Sequence, residues 1–426
     1  MKSPLLKLVS PLLVGSLLLV ATGCGPREEP QATTPTGSSG APQSPATPSS
    51  TDPTSAEPSM SATSPVPTAP VPSTEPSTEA QRAARLAAQM SSREQAGQLV
   101  MAGVEATGAT KATLKSLTKA GVANVFLRGR SKLSVKQTSA VTGQLRSALS
   151  ANSPEGLDAW VATDQEGGYV RVLQGSGFSD LPTAVTQAKW STQRLDSTWR
   201  SVAKELQKAG VNVNLAPVAD VVDPALGSAN APIGYFARNY GSSLKSVTES
   251  IRTVNQALSA QGVQPVVKHF PGLGNVRENT DTTASVTDTA TSGDSESLRP
   301  FVQAIEQGQA WVMVANARYT RIDKKNDAPF SRALIQGLLR EKLGYDGVVI
   351  SDDLCEAKQV ASVPVGERAV RFIDAGGTLP LCVDADKSRT MINALTKQAD
   401  ADEQFAQRLE DAVTVALTAK LETGKE

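Results

Sequence analysis

Side chains that could do chemistry occur in one short segment, which also holds the only histidine of the chain. The pair Val266 and Val267 leads into Lys268 and His269, and Pro271 with two glycines then stops any regular element. This pattern predicts that the lysine and the histidine lie where a strand ends. Because α/β proteins keep their active sites at such ends, the pair is a candidate for substrate binding or catalysis. A histidine held only by packing is the alternative.

Carboxylates and an arginine follow other apolar runs in the same way. Asp164 opens the segment Asp-Gln-Glu-Gly-Gly, Asp352 ends another run and is followed by Asp353, and Arg238 lies in a polar segment after a further run. In a barrel of parallel strands, the carboxyl ends of the strands meet at one mouth. A random scatter of polar residues would not place them all at the same end, so the pattern predicts an active site there.

The two adjacent acids differ in what precedes them. Asp352 ends a strongly apolar run that holds its position rigidly, whereas Asp353 begins the turn and could cap the next segment. We therefore expect Asp352 to be the reactive carboxylate. The alternative, in which both acids only cap a helix, stays open from the sequence.

Apolar runs of strand length alternate with helical patterns through residues 81–426, which form the predicted catalytic domain. The runs are Leu99–Val104, Val122–Leu127, Ala159–Asp164, Val211–Pro217, Val266–His269, Trp311–Asn316, Gly347–Asp352 and Thr378–Val383. They are almost continuously apolar, as is typical of parallel strands buried on both faces. Eightfold alternation predicts a single-domain α/β protein with a (β/α)8 TIM-type barrel; an open doubly wound sheet is the alternative.

The N-terminal residues have the pattern of an export signal. Lys2 and Lys7 precede an apolar run, Pro11 to Val20, that is too short to span a bilayer, and small residues then lead to Cys24. This pattern predicts a signal peptide in residues 1–23. The segment Ala-Thr-Gly-Cys resembles a bacterial lipobox, which implies a lipid anchor on Cys24. A plain signal peptide is the alternative. We therefore expect an extracytoplasmic lipoprotein anchored to the cell membrane.

Residues 24–80 differ in composition from the rest of the chain. They are rich in Pro, Ser, Thr and Ala and hold 13 of the 26 prolines. Such a segment cannot bury enough apolar surface to offset its ordering entropy, so it is predicted to be a disordered tether. A proline-rich spacer of this length would lift the domain off a membrane surface.

Charge and cysteine usage exclude several classes of partner. Forty-two acidic and 42 basic residues give a net charge of zero without a basic run, which argues against nucleic-acid binding. One histidine and three cysteines leave no recognisable ligand set for a transition metal. We expect neither a metal nor a cofactor.

The segment Lys-His-Phe-Pro-Gly resembles the signature of bacterial β-N-acetylglucosaminidases of glycoside hydrolase family 3. The resemblance extends from about Ser92 to the C-terminal helix. It includes the segment Leu298-Arg299-Pro300-Phe301 and the sequence around Gly344-Tyr345-Asp346-Gly347. It implies a retaining glycosidase of the single-barrel branch, which acts on N-acetylglucosamine linkages of cell-wall material. No second domain of the kind found in the family's β-glucosidases is expected.

The resemblance also implies roles for individual residues. Asp352 corresponds to the nucleophile, and the residues corresponding to those that hold the sugar hydroxyls are Asp164, Arg238, Lys268 and His269. Two departures affect these assignments. An insertion precedes Arg238, and Val172 stands where the family often has an arginine.

A further departure concerns the acid/base residue. The family's single-barrel branch carries an Asp-Ser-His triplet after strand five, and the corresponding positions here are Asn279, Thr280 and Asp281. Asp281 can act as the general acid if its surroundings raise its pKa, with Glu278 as the reserve candidate. Two functions stay open: a monomeric exo-β-N-acetylglucosaminidase acting on muropeptides, and a catalytically impaired barrel that binds wall glycan.

Two cysteines could form a disulfide at the mouth. Cys355 follows the end of strand seven and Cys382 lies in strand eight, its neighbour in a barrel. Export would place them in an oxidising compartment. Two buried free thiols are the alternative.

Overall fold

The computed structural model describes residues 78–154 and 156–423. The predicted signal peptide, the predicted lipid attachment site Cys24 and residues 25–77 of the predicted tether lie outside the described residues. The first described element is a helix, Thr78–Ala88, which begins before the predicted domain boundary at residue 81. Ala83 and Ala87 of this helix are buried.

Eight parallel strands form the central sheet, and each lies within or overlaps one of the predicted apolar runs. They are β1 (Met101–Glu105), β2 (Asn124–Arg128), β3 (Val161–Thr163), β4 (Val213–Asn214), β5 (Gln264–Phe270), β6 (Trp311–Val314), β7 (Val349–Ser351) and β8 (Leu381–Cys382). Strands β1 to β7 pair in parallel in their sequence order, and β8 pairs in parallel with β1. A bridge between Ile350 and Leu379 joins the β7 and β8 segments and closes the ring. The predicted (β/α)8 barrel is confirmed.

A helix follows every strand and covers the outside of the barrel. The eight helices are Lys111–Ala120, Val135–Leu149, Thr192–Lys208, Leu244–Ser259, Arg299–Glu306, Ala333–Lys342, Val365–Asp374 and Ala385–Ala401. The helix Ala333–Lys342 is π-helical. Ser331 accepts a hydrogen bond from the backbone N–H of Leu334 and Gly344 adopts a left-handed φ of 69°, as the sequence predicts for the two ends of this helix.

Further elements flank the barrel or its loops. The remaining helices are Ser92–Leu99, Ala184–Gln187 and Glu403–Thr423, and short 3-10 turns occupy Ser150–Asn152, Gly227–Ala229, Glu296–Leu298, Ala328–Phe330 and Lys358–Val360. Gln165–Gly167 forms an antiparallel hairpin with Val170–Arg171, and Thr287–Asp288 pairs in parallel with Arg318–Tyr319. None of the described helices is both long and apolar enough to span a membrane.

The helical patterns read from the sequence correspond to buried faces. In the helix Thr192–Lys208, Leu195, Trp199, Val202 and Leu206 recur every three or four residues and are buried. The strands are buried on both faces, which explains why their sequences are apolar without alternation.

Aromatic residues close the end of the barrel where the strands begin. Trp160 precedes β3 and Trp311 opens β6, and their rings meet edge to face with centroids 4.6 Å apart. Lys420 of the C-terminal helix places its Nζ atom 4.9 Å from the centroid of the Trp160 ring. Side chains therefore fill this end of the barrel, and the opposite end is where a barrel of this type places its active site.

Candidate active site

A cavity of about 520 Å³ opens at the carboxyl ends of the strands, a volume within the usual range for small-molecule sites. All six residues predicted to bind substrate or to catalyse line this one cavity; they are Asp164, Arg238, Lys268, His269, Asp281 and Asp352. The structure thus brings together side chains from the ends of four strands and their loops. Arg238 reaches the cavity despite the insertion before it.

A bulge in β5 lets two consecutive residues face the cavity. Neighbouring residues of a regular strand point to opposite faces of the sheet. Between Lys268 and Phe270 the pairing of β5 with β6 shifts by one residue, which leaves His269 as the extra residue. A bulge of this kind redirects a side chain, and both Lys268 and His269 line the cavity.

Lys268 is held between two carboxylates. Its Nζ atom lies 2.6 Å from Oδ1 of Asp164 and 2.6 Å from Oε1 of Glu166, and its side chain is only 3% exposed. Burial by itself would lower the pKa of Lys268, but the charges of Asp164 and Glu166 raise it above its ordinary value. The ammonium group is therefore a permanent cation at the floor of the cavity.

Glu166 joins this lysine to the arginine. Arg238 donates from Nε to Oε2 of Glu166 at 2.9 Å and from Nη2 to Oε1 at 2.7 Å, a bidentate pair. Burial would raise the pKa of Glu166, but the charges of Arg238 and Lys268 outweigh it and hold this pKa at about 2. Glu166 therefore stays ionised and positions both cations.

No group of three or more His, Cys, Asp and Glu side chains within residues 78–154 and 156–423 is arranged to hold a metal ion.

Asp220 orients His269. Oδ2 of Asp220 lies 2.7 Å from Nδ1 of His269, and Oδ1 accepts a hydrogen bond from the backbone N–H of Leu273 at 2.6 Å. On the other side of the ring, Nη2 of Arg238 lies 3.4 Å from Nε2 of His269. Because a carboxylate only accepts and a guanidinium only donates, this arrangement favours the tautomer with its proton on Nδ1. Nε2 then presents a lone pair.

Sequence reasoning assigned no role to Glu166 or Asp220. Both follow strand ends, Glu166 two residues after Asp164 and Asp220 after β4, so the rule that selected the other candidates applies to them as well. Their partners, however, lie 49 to 102 residues away along the chain. Only the folded chain shows which cation or imidazole each carboxylate contacts.

The structure separates the roles of the two adjacent acids after β7. The carboxylate of Asp353 accepts hydrogen bonds from four backbone N–H groups, those of Cys355, Glu356, Ala357 and Val383. It is therefore committed to the turn. Asp352 continues the pairing with β6 through its N–H and the carbonyl oxygen of Val314, and its carboxylate accepts only from the Asp353 N–H in the described contacts. Asp352 is the acid that remains available to a substrate in the cavity.

Asp281 lines the same cavity from the loop after β5. Asp281 is accessible to solvent, but its side chain lies inside a concave cavity where protein atoms surround the carboxyl group. This partial burial, together with the negative charge of Asp352, raises the pKa of Asp281 to about 6, although Arg238 and His269 act in the opposite direction. Glu278, the reserve candidate, is exposed and does not line the cavity.

The loop that carries Asp281 is anchored at both ends. The side-chain amide of Asn230 donates to the carbonyl oxygens of Leu273 and Val276 at 2.7 Å. At the far end, the carbonyl oxygens of Thr280 and Asp281 accept hydrogen bonds from the backbone of residues 359 and 358. These bonds hold it against the loop after β7.

A disulfide joins Cys355 to Cys382, with Cα atoms 5.0 Å apart. It ties the loop after β7 to β8. Arg368, which is buried, donates to the carbonyl oxygens of Leu354 and Cys355 in the same loop. The turn that follows Asp352 is thus fixed covalently, by Arg368 and by the four hydrogen bonds of Asp353.

Proteins of known family resemble this chain along most of its length. The model of the glycosyl hydrolase family 3 N-terminal domain matches residues 91–419. A β-hexosaminidase of Nitrosomonas eutropha is 29% identical over 305 residues, which cover 70% of this chain and 84% of the relative. A β-hexosaminidase of Thioalkalivibrio sulfidiphilus is 30% identical over 71% of this chain and 85% of its own length.

Solved structures give the same result. A β-N-acetylhexosaminidase from Beutenbergia cavernae superposes with a TM-score of 0.76 at 43% identity, covering 78% of this chain and 99% of that one. A family 3 β-N-acetylglucosaminidase from a Paenibacillus species superposes with a TM-score of 0.69 at 27% identity, covering 79% and 63%. The match to the family model spans well over half of the chain, and the chain therefore belongs to glycosyl hydrolase family 3.

Proposed function

We propose that this glycoside hydrolase is an exo-acting, retaining β-N-acetylglucosaminidase that removes terminal N-acetylglucosamine from peptidoglycan fragments. One observation carries the proposal: two carboxyl groups in different environments, Asp352 and Asp281, line the same cavity. Glycoside hydrolysis needs such a pair, one group to attack and one to protonate. The similarity to proteins named β-hexosaminidase supports N-acetylhexosamine as the sugar.

In the first step, the Asp352 carboxylate bonds to the anomeric carbon while the glycosidic C–O bond breaks. Asp281 donates its proton to the departing oxygen, which leaves as an alcohol. A pKa of about 6 suits this role, because the acid form is still available near neutral pH. The product of this step is a glycosyl ester on Asp352.

In the second step, the ionised Asp281 takes a proton from water. The water oxygen bonds to the anomeric carbon and the ester bond to Asp352 breaks, which restores both acids and retains the anomeric configuration. An ionised carboxylate at this position repels an incoming phosphate, so we propose water as the acceptor.

The charged cluster at the floor of the cavity binds the sugar. Lys268 donates to hydroxyl groups and Asp164 accepts from them. Nε2 of His269 has a single lone pair, and a hydroxyl that donates to it replaces the long 3.4 Å contact with Arg238. Glu166 and Asp220 contact the cations and the imidazole from behind and preorganise these groups before the sugar arrives.

We propose that the enzyme acts as a monomer outside the cytoplasm, held at the membrane by a lipid on Cys24 and a flexible tether. The export pattern and proline-rich composition of the first 80 residues support this placement. Labelled fatty acid should be incorporated by the full-length chain and not by a Cys24→Ala variant. A Cys24→Ala variant that is still labelled would remove the anchor from this residue.

The catalytic proposal is tested with a chromogenic N-acetylglucosaminide and a slow fluorosugar analogue. The wild-type enzyme should release the chromophore, and peptide mass spectrometry should find the label on Asp352. An Asp281→Ala variant should retain partial activity on activated aryl glycosides, and azide, which needs no base, should rescue it. Label on Asp353 would overturn the assignment of the nucleophile, and absence of turnover would favour a glycan-binding barrel.

A further inference from the structure

An aromatic patch is exposed at the rim of the cavity. Among the residues described by the structure, the large hydrophobic side chains that are mainly exposed are Tyr169 and Tyr235, at 62% and 66%. The ring of Phe236 meets both edge to face, with centroids 6.1 Å from Tyr169 and 4.9 Å from Tyr235. Tyr169 and Phe236 also line the cavity that holds Lys268. These three aromatic residues, here called the aromatic rim, are therefore continuous with the candidate active site.

The backbone under Tyr169 is fixed. Tyr169 lies at the tip of the hairpin between Gln165–Gly167 and Val170–Arg171, and its carbonyl oxygen accepts a hydrogen bond from Nη2 of Arg130 at 2.7 Å. Gly168 before it has a φ of 55°, and a Cβ atom there would lie 2.5 Å from Cγ2 of Thr183. The hairpin thus presents the ring at a defined position.

The segment that carries Tyr235 and Phe236 is equally constrained. Oδ1 of Asn230 accepts hydrogen bonds from the backbone N–H groups at positions 233 and 234, and the backbone carbonyl oxygen of Asn230 accepts one from the backbone N–H of Tyr235. Ala237 adopts a φ of 52°, which is unfavourable for a residue with a Cβ atom. This strained residue lies between Phe236 and Arg238. The segment therefore holds the exposed rings and Arg238 in one rigid unit.

Contiguous exposed aromatic surface beside a cavity is typical of ligand-binding sites. The proposed exo action places one sugar at the charged floor of the cavity, so the next unit of a glycan leaves through the mouth, where the aromatic rim lies. A pyranose ring has an apolar face of C–H groups, and rigid aromatic rings cover such a face at little entropic cost. The rim carries no formal charge of its own, which suits a neutral ring.

We propose that the aromatic rim is the subsite for the leaving-group sugar, with Tyr169 and Tyr235 as determinants of specificity for a ring-bearing aglycone. The inference rests on the proposed function for the identity of the sugar. The proposal goes beyond that function because it assigns a second sugar-binding position to residues outside the catalytic cluster.

Calorimetry on an Asp352→Asn enzyme tests the proposal without turnover. The dissociation constants of N-acetylglucosamine and of N,N′-diacetylchitobiose are compared in this parent and after Tyr169→Ala or Tyr235→Ala. The parent should bind the disaccharide more tightly than the monosaccharide, and each alanine variant should reduce this gain by roughly three- to tenfold. Tyr169→Phe and Tyr235→Phe keep the rings and serve as matched controls that should retain the gain.

Two results would overturn the subsite: a parent that binds both sugars equally, or alanine variants that keep the full gain. Hydrolysis of the chromogenic substrate by the wild-type enzyme is measured in parallel. If the disaccharide gain depends on the rings while the wild-type enzyme shows no hydrolysis, the catalytic proposal fails and the binding subsite stands. The two failures are thus distinguished.

Discussion

The Nδ1 atom of His269 lies 2.7 Å from Oδ2 of Asp220, a residue with no solvent exposure that is 49 positions earlier in the chain. The loop after β5 lacks the Asp-Ser-His triplet of the family's single-barrel branch, yet the fold still contains a paired aspartate and histidine, built from other residues. Nη2 of Arg238 lies 3.4 Å from Nε2 of His269, and this contact argues against a role of the pair as general acid. The guanidinium favours a lone pair on Nε2, so Nε2 has no proton to donate as an acid.

Replacing His269 with alanine should lower kcat/KM by a similar factor for good and poor leaving groups, because a hydroxyl-binding group acts in both cases. Asp220→Asn should produce a smaller loss, roughly 10- to 100-fold, since an amide oxygen cannot serve both Leu273 N–H and the imidazole. Thermal unfolding of both variants checks that the fold is intact. Strong rescue of His269→Ala by an aryl leaving group of low pKa would make the histidine the acid.

The pH dependence of kcat/KM should report Asp281. Burial and the Asp352 charge raise its pKa to about 6, and the first step needs the protonated form. As the pH rises above about 6, the acid fraction falls and kcat/KM should decline by about tenfold for each pH unit. Asp281→Asn, which does not titrate, should lose this alkaline limb on an activated aryl substrate. Persistence of the same limb in the variant would assign it to another group.

The Cys355–Cys382 disulfide should stabilise the fold and the turn after Asp352. A link with a sequence separation of 27 contributes roughly 3 kcal/mol to the free energy of unfolding. Reductant should therefore lower the Tm of the wild-type enzyme and leave unchanged the Tm of a Cys355→Ser/Cys382→Ser variant. Peptide mapping of unreduced, unfolded protein should find the linked pair. Two free thiols in that experiment would contradict the bond.

Lys420 should reduce stability at neutral pH. Its side chain is buried against Trp160, and its Nζ atom has no hydrogen-bond partner in the described part of the chain. Burial lowers the pKa of Lys420 from 10.5 to about 7; the charge of Asp158 raises this pKa and the charge of Arg146 lowers it further. Between about pH 7 and 10.5 the unfolded chain binds this proton and the folded chain does not. The contribution of Lys420 to stability therefore falls as the pH is lowered through this window.

A Lys420→Met variant, which keeps the length of the side chain, should be more stable than wild type at pH 7 by on the order of a few kcal/mol. The difference should shrink toward pH 10, where the lysine is neutral in both states. Denaturant unfolding at several pH values measures it. Equal stability of the two proteins at pH 7 would show that the amine is solvated in the folded state.

The sequence by itself determined the barrel and the location of its mouth. Strand-length apolar runs, the breakers after Lys268 and the cap at Ser331 are local features, because burial of a strand and the end of a helix depend on a few consecutive residues. The contrast between Asp352 and Asp353 was also local, since one ends a strand and the other begins a turn. The export pattern and tether of the first 80 residues stay predictions from the sequence.

Only the tertiary structure decided which polar groups meet. Glu166 contacts Arg238, 72 residues away, and Asp220 contacts His269 from another strand end, so neither pairing is visible in any short window. The bulge that turns both Lys268 and His269 into the cavity depends on the register with β6. The raised pKa of Asp281 arises from burial and from Asp352 across the mouth. These properties depend on distances through space, and closure of the barrel sets those distances.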